Sequence, residues 1–264
     1  MASPIIITLT TDFGLRDPFV GIMKGVILGI CREARLVDLT HEIAPHDVLE
    51  GALALESAVA FFPEGSVHVA VVDPGVGSPR RALAIASAGH YFVGPDNGLL
   101  TAALRPGRWS AVSLEAAAYR LAPVSGTFHG RDIFAPAAAH LGCGVPLERL
   151  GPPVTDPVTL ALPGCRAEGA GLVGEVIGVD RFGNLITSVT ADRLGALDGG
   201  SLSVEVAGQD VGPLVGCYAD AVEGMPRPII GSGGRLEIFV RNGSARERLG
   251  ATRGTPIRVT RRGS

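Results

Sequence analysis

The chain has 264 residues, of which 46% are hydrophobic, and its 37 glycines and 19 prolines describe a globular protein broken by many turns. With 23 basic and 26 acidic residues the formal charge is −3, which excludes the broad positive field needed for non-specific nucleic-acid binding and favours a small-molecule substrate. No stretch reaches the roughly 18 apolar residues of a membrane span. The opening MASPIIITLTTDFG has no basic segment before its short apolar run, so a cytoplasmic chain with no membrane partner is expected.

In chain order, IIITLTT (5–11) reads as a buried strand, and after the polar turn DFGLRDP a helix is expected over 18–31, with Pro18 in its first turn. RLVDLT (35–40) is a second strand, 48–62 a second helix and SVHVAVVD (66–73) a third strand. RALAIAS and YFVGP are further strands, and 132–144 is one more helix. Alternation of this kind predicts an α/β fold, a mostly parallel sheet covered by helices, with ligands beyond the carboxyl ends of the strands. We place this domain at 1–150. Four prolines, at 152, 153, 157 and 163, mark a linker over 151–165. From 166 to 264 the pattern changes to short β runs broken by glycine (GLVGEVIGVD, NLITSV, SLSVEVAG, RLEIFV, PIRVTRR), a smaller all-β domain.

Lys24 is the only lysine, and no phosphate-binding GxxxxGK[ST] loop is present. Cys31, Cys143, Cys165 and Cys217 show no metal-ligand spacing and read as reduced structural cysteines. Polar clusters end several expected strands: TTDFG with Asp12, VVDPGVG with Asp73, and GPDNGLL with Asp96. GTFHGRD, with His129, precedes a helix. Each alone is an ordinary turn former. Together they converge on the crevice where such sheets bind ligands. The other histidines, His41, His46, His68, His90 and His140, lack comparable company along the chain. In the second domain GVDRFGNLITS carries Asp180 and Asn184 in a turn.

TLTTDFG, DLTHEI, FFPEGSVHVAVVDPGVGSPRR, PDNGLL, TFHGRDIFAPAAAHL, DRFGN and LEIFVRNGSA, in this order, resemble the S-adenosyl-L-methionine (SAM) hydroxide adenosyltransferase family, relatives of fluorinase and chlorinase. The resemblance implies an α/β domain, a C-terminal barrel-like β domain, and a homotrimer whose sites lie between the first domain of one subunit and the second domain of its neighbour. It implies hydrolysis of SAM to adenosine and L-methionine, with SAM as substrate and neither metal nor cofactor. Asp73, Arg80 and His129 match the triad around the nucleophilic water, and an arginine beside an acid holds it ionised. Asp12 matches a ribose contact, Asp180 and Asn184 ribose or methionine contacts, and Ser232, Glu237 and Val240 contacts near adenine or methionine. Arg235 stands where the family has tyrosine, and a guanidinium also stacks on a purine. Halide-using relatives have an aromatic residue at the position of Asp73, threonine at that of Val76 and serine at that of Gly130, so water is the expected nucleophile here. Two other readings stay open. One is a metal-dependent hydrolase of a nucleotide-like substrate, using Asp12, Asp73, Asp96 and His129 as ligands. The other is a non-catalytic module that binds adenosine or SAM.

Overall fold

Residues 4–104, 107–197 and 202–261 are described by a computed structural model, and they fall into two units, divided between Ala161 and Leu162. The first unit is built on β1 (Ile6–Thr11), α1 (Phe19–Ile30), β2 (Arg35–Thr40), α2 (Val48–Val59), β3 (Val67–Val71), β4 (Ala82–Ser87), β5 (His90–Pro95), β6 (Trp109–Ser113), α3 (Ala135–Gly142) and β7 (Pro153–Val154). The strands form one sheet in the order β2-β1-β3-β5-β4-β6-β7. β2, β1, β3 and β5 are parallel neighbours; α1 carries the chain from β1 to β2 and α2 from β2 to β3, whereas β3 reaches β5 through β4. β4 and β5 are joined by Ala88 and Gly89 alone, both at positive φ (49° and 80°), and a two-residue turn of this kind makes an antiparallel hairpin. The α/β expectation therefore holds, with an antiparallel flank added at β4, β6 and β7.

Burial explains the continuous apolar run of β3. Val69 and Val71 face a core with Met23 and Ile27 of α1 and with Ala137 and Ala138 of α3, whereas Ala70 and Val72 face a second core with Leu55 of α2, Leu99 and Leu100. A strand covered on both faces has no polar side to alternate with. α2 begins at Asp47, whose carboxylate accepts the Glu50 N–H at 2.9 Å. The helix expected over 132–144 opens differently: Gly130–Phe134 forms a π-helical turn that runs into α3. The proline-rich stretch is stitched to this unit as far as Leu160, through the β6–β7 pairing and through N–H bonds from Val158 to Asp96 and from Leu160 to Thr101.

The second unit contains β8 (Arg166–Glu168), β9 (Gly171–Val179), β10 (Leu185–Thr190), α4 (Ala191–Gly195), β11 (Leu202–Val206), β12 (Gln209–Asp210), β13 (Pro226–Ile230), β14 (Arg235–Val240), α5 (Ala245–Leu249) and β15 (Pro256–Arg261). Its strands pair antiparallel in the order β12-β11-β15-β9-β10-β14-β13, with β8 beside β9, and curl as a half-barrel around a core that includes Val176, Leu185, Leu236 and Ile257. Two of the expected runs extend to Ser201 and Arg262, which lie outside the described residues. The all-β expectation needs one correction, because α4 and α5 are short helices capped by Thr190 and Ser244. SARE at 244–247 is the serine-to-glutamate capping pattern that announces the second of them. β13 escaped the pattern reading because Pro226 and Pro228 interrupt it. It sits at the end of the sheet, where proline is tolerated. Among the described residues no helix is long and apolar enough to cross a membrane.

Candidate active site

Asp73 leaves the sheet just beyond β3, and the turn that follows folds back so that Arg80 meets it. Arg80 Nε donates to Asp73 Oδ1 at 2.9 Å and Nη2 donates to Oδ2, fork against fork. Nη1 donates to the Arg81 carbonyl at 3.2 Å, and the guanidinium lies over the Phe134 ring. The Asp73 and Arg80 side chains are only 5% and 10% exposed. Breaking a pair buried to this degree by removing one partner costs ~3–5 kcal/mol, so each ion holds the other in place.

Arg80 Nη2 also reaches His129 Nδ1, at 2.7 Å. A guanidinium can only donate, so Nδ1 is the acceptor and the neutral ring carries its proton on Nε2. Burial and then the Arg80 charge hold the imidazole below its ordinary pKa, against the opposing pull of Asp73 and Asp132. Asp132 is not the partner of His129. Its carboxylate accepts from Arg131 (2.6 and 2.9 Å) and from the Ser125 N–H (2.8 Å), which anchors the loop leading to His129. Gly77 joins the two loops: its φ is +77°, and a Cβ there would lie 2.4 Å from the Gly126 carbonyl oxygen.

Asp12 follows β1 as Asp73 follows β3, and because these strands are parallel neighbours both carboxylates emerge at one edge of the sheet. Asp12 Oδ2 accepts the His46 N–H at 2.9 Å. Beneath it runs a chain of polar contacts. Lys24 Nζ donates to Asp38 Oδ2 at 2.6 Å. His41 Nε2 lies 2.9 Å from Asp38 Oδ1 without an aligned hydrogen bond, and Thr11 Oγ1 is hydrogen-bonded to His41 Nδ1 at 2.9 Å. The Thr11 oxygen in turn accepts the Phe13 N–H at 3.2 Å, which sets the turn bearing Asp12. Burial pushes the Asp38 carboxyl up, but Lys24 and His41 outweigh it and hold it below the usual carboxylate range.

Asp12, Asp73 and His129 line one cavity of about 300 Å³, together with His46, Val76, Thr127 and Gly130. Phe13, Phe19 and Phe128, in mutual edge-to-face contact, supply its apolar wall. His46, Thr127 and the three phenylalanines were not legible as site residues, although Phe13 and Phe128 adjoin motif residues. Asp96 does not line the cavity. Its oxygens accept from Arg81 Nε and the Val158 N–H, both at 2.7 Å, so it braces the segment after β7. The four residues of the metal reading are thus not assembled as one ligand set, and among the described residues no group of three or more histidines, cysteines or acids is arranged to hold a metal. The histidines also keep more company than their sequence neighbours suggest. His41 belongs to the chain under Asp12, and His68 lies between Thr8 Oγ1 and His90 Nδ1, at 2.8 and 3.2 Å.

In the second unit Asp180 is committed to its own turn. Oδ1 accepts the Phe182 and Asn184 N–H groups and Oδ2 accepts Asn184 Nδ2, all at 2.8 Å. Glu237, on β14, packs against Gly231, where a Cβ would fall 1.9 Å from the carboxylate and displace it. Burial and then the nearby Asp180 charge raise the Glu237 carboxyl, and burial followed by Glu237 and Asp180 raises the Tyr218 phenol. Tyr218 is an addition to the residues read from the sequence. Ser232 is exposed, Arg235 is half-buried, and Val240 is packed into the core.

Residues 7–151 match the SAM hydroxide adenosyltransferase N-terminal domain and residues 174–258 the C-terminal domain. The chain belongs to the SAM hydroxide adenosyltransferase family. An (R)-S-adenosyl-L-methionine hydrolase of Thermus thermophilus is 45% identical over 259 residues, 94% of this chain and 97% of that protein. A fluorinase of Actinopolyspora mzabensis is 30% identical across 97% of each chain. The crystal structure of a conserved protein from Thermotoga maritima superposes with a TM-score of 0.91 at 35% identity, over 97% of this chain and 100% of that one. In this adenosyltransferase-family chain the cavity positions Val76 and Gly130 offer no side-chain hydrogen-bond donor. A Cβ at Gly130 would already press on Met23 and Phe128 at 3.1 Å.

Proposed function

We propose that the chain hydrolyses S-adenosyl-L-methionine to adenosine and L-methionine, with water attacking the 5′ carbon. The observation that carries this reading is the Arg80 bridge, which holds an ionised acid and a neutral histidine of defined tautomer on one cavity wall. His129 Nε2–H donates to the attacking oxygen and orients it, and Asp73 takes the proton that water sheds as its oxygen bonds to carbon. The carbon–sulfur bonding pair leaves with sulfur as a neutral thioether, so no acid is needed to assist departure. Catalysis is then positioning in a partly dry pocket, with no step that needs a metal or cofactor.

Asp12 binds the ribose hydroxyls. Asp180 and Asn184 serve ribose or methionine, and Ser232, Arg235, Glu237 and Val240 serve adenine or methionine, Val240 through its main chain because its side chain is in the core, in a cytoplasmic homotrimer whose sites are completed by the second domain of a neighbouring subunit. Asp180 also orders the turn that presents Asn184. The domain division read from sequence, 1–150 and 166–264 about a linker, belongs to the same proposal.

Incubation with separate (R) and (S) forms of SAM in oxygen-18 water, with a chelator present, tests the reaction. The expected products are equal amounts of methionine and adenosine with the label on the 5′ oxygen. Absence of adenosine overturns the hydrolase reading in favour of a binding module, and activity that the chelator abolishes restores the metal reading.

A further inference from the structure

Two cysteines meet at the C-terminal ends of α1 and α3. Cys31 terminates α1 and Cys143 terminates α3, their N–H groups donating to the Ile27 and Ala139 carbonyls at 2.7 and 2.9 Å. Cys143 Sγ donates to the carbonyl of Ile30, the residue before Cys31, at 3.7 Å, so the packing of α3 against α1 brings the two cysteines together. Neither is in a disulfide. Cys31 is 5% exposed, whereas Cys143 is open to solvent.

We propose that Cys31 and Cys143 are a reversible oxidation site that closes to an intrachain disulfide on exposure to a hydroperoxide. Cys143, the accessible sulfur, attacks one peroxide oxygen. The O–O bond breaks, hydroxide leaves, and a sulfenic acid forms. Cys31 sulfur then attacks Cys143 sulfur and displaces hydroxide, which departs as water with the Cys31 proton. Two thiols and one hydrogen peroxide thus become one disulfide and two waters. Burial and then contact with Cys143 push the Cys31 thiol up to about 11, so it stays protonated and is not the sulfur oxidised first.

The bond ties α1 to α3 at the end remote from Phe19, which lines the cavity. With 12 residues in α1 the separation is ~18 Å at about 1.5 Å per residue. Its effect is therefore on stability, by closing a long loop of the unfolded chain.

The test treats the intact chain with a small excess of hydrogen peroxide, blocks remaining thiols without reductant, and maps the peptides by mass spectrometry. The expected result is a linked Cys31–Cys143 peptide pair, a Tm raised by ~5–10 °C, and loss of both on adding dithiothreitol. C143S, a change at an exposed position, and C31A each prevent the link and the rise. The proposal is overturned if Cys143 proceeds to sulfinic acid while Cys31 stays a thiol, or if the links formed run to Cys165, Cys217 or a second chain. A linked pair with unchanged Tm overturns the claim that the bond restrains the two helices.

Discussion

Arg80 does three things with one planar group: it pairs with Asp73, selects the tautomer of His129, and caps the Phe134 ring. A lysine keeps the charge but cannot make the fork and reach His129 together. Arg80→Lys is expected to lower turnover at least ~100-fold, with adenosine affinity, measured by calorimetry, left within a factor of about two. Equal loss of both would show that Arg80 contacts the nucleoside. Because burial and Arg80 depress the His129 pKa, the productive neutral ring persists below its usual range and is lost only as pH falls further. The acid limb of the kcat profile should therefore have its midpoint below about 6.5, the ordinary histidine value. A midpoint above it contradicts the proposed tautomer. Thr11 acts at one remove, through the turn that presents Asp12. Thr11→Val deletes the hydroxyl between His41 and the Phe13 N–H, and a buried bond of this kind is worth ~1 kcal/mol. KM for SAM should rise ~5-fold with kcat nearly unchanged. A fall in kcat at constant KM would place the chain under Asp12 in the chemistry rather than in positioning.

At the scale of elements, the three adjacent strands β1, β3 and β5 are cross-linked inside the sheet by Thr8, His68 and His90. His68 is fully buried, and burial followed by the His90 charge lowers its pKa to about 4. In the unfolded chain the same imidazole protonates near its ordinary value, so unfolding takes up a proton once the pH drops below about 6.5. Stability contributed by the neutral ring is complete above that pH and is lost progressively down to about 4, a total of ~3 kcal/mol. Urea unfolding followed across this range should show that decline, and His68→Phe should flatten it while lowering stability at pH 7. An unchanged slope in the variant would assign the acid sensitivity to other groups. Gly77 belongs to this scale as well, since its close approach to Gly126 lets two loops from distant strands share one wall.

For the whole molecule, Asp73, Arg80 and His129 stand on the first unit and Asp180, Asn184 and Glu237 on the second. If neighbouring subunits complete each site, Asp73→Ala and Asn184→Ala chains, each inactive alone, should regain partial turnover when mixed and exchanged. A mixture shown by mass measurement to have exchanged, yet no more active than its parents, would mean that one chain closes both units on the ligand. Much of this organisation was legible without coordinates. The runs around β1 and β3, the Asp-Pro-Gly turn, and the change to glycine-broken β runs after the prolines are local matters, set by backbone preferences over a few residues and by the side-chain period. Asp73 and Arg80 lie 7 residues apart in one turn, and their association is of the same local kind. The bond from Arg80 to His129 spans 49 residues and that from Thr8 to His68 spans 60. Neither leaves a periodic trace, and the meeting of Cys31 with Cys143 leaves none either. Such contacts are decided only when the strands choose their neighbours and α1 settles against α3, because that choice minimises exposed apolar surface over the whole unit, and no short stretch of sequence encodes it alone.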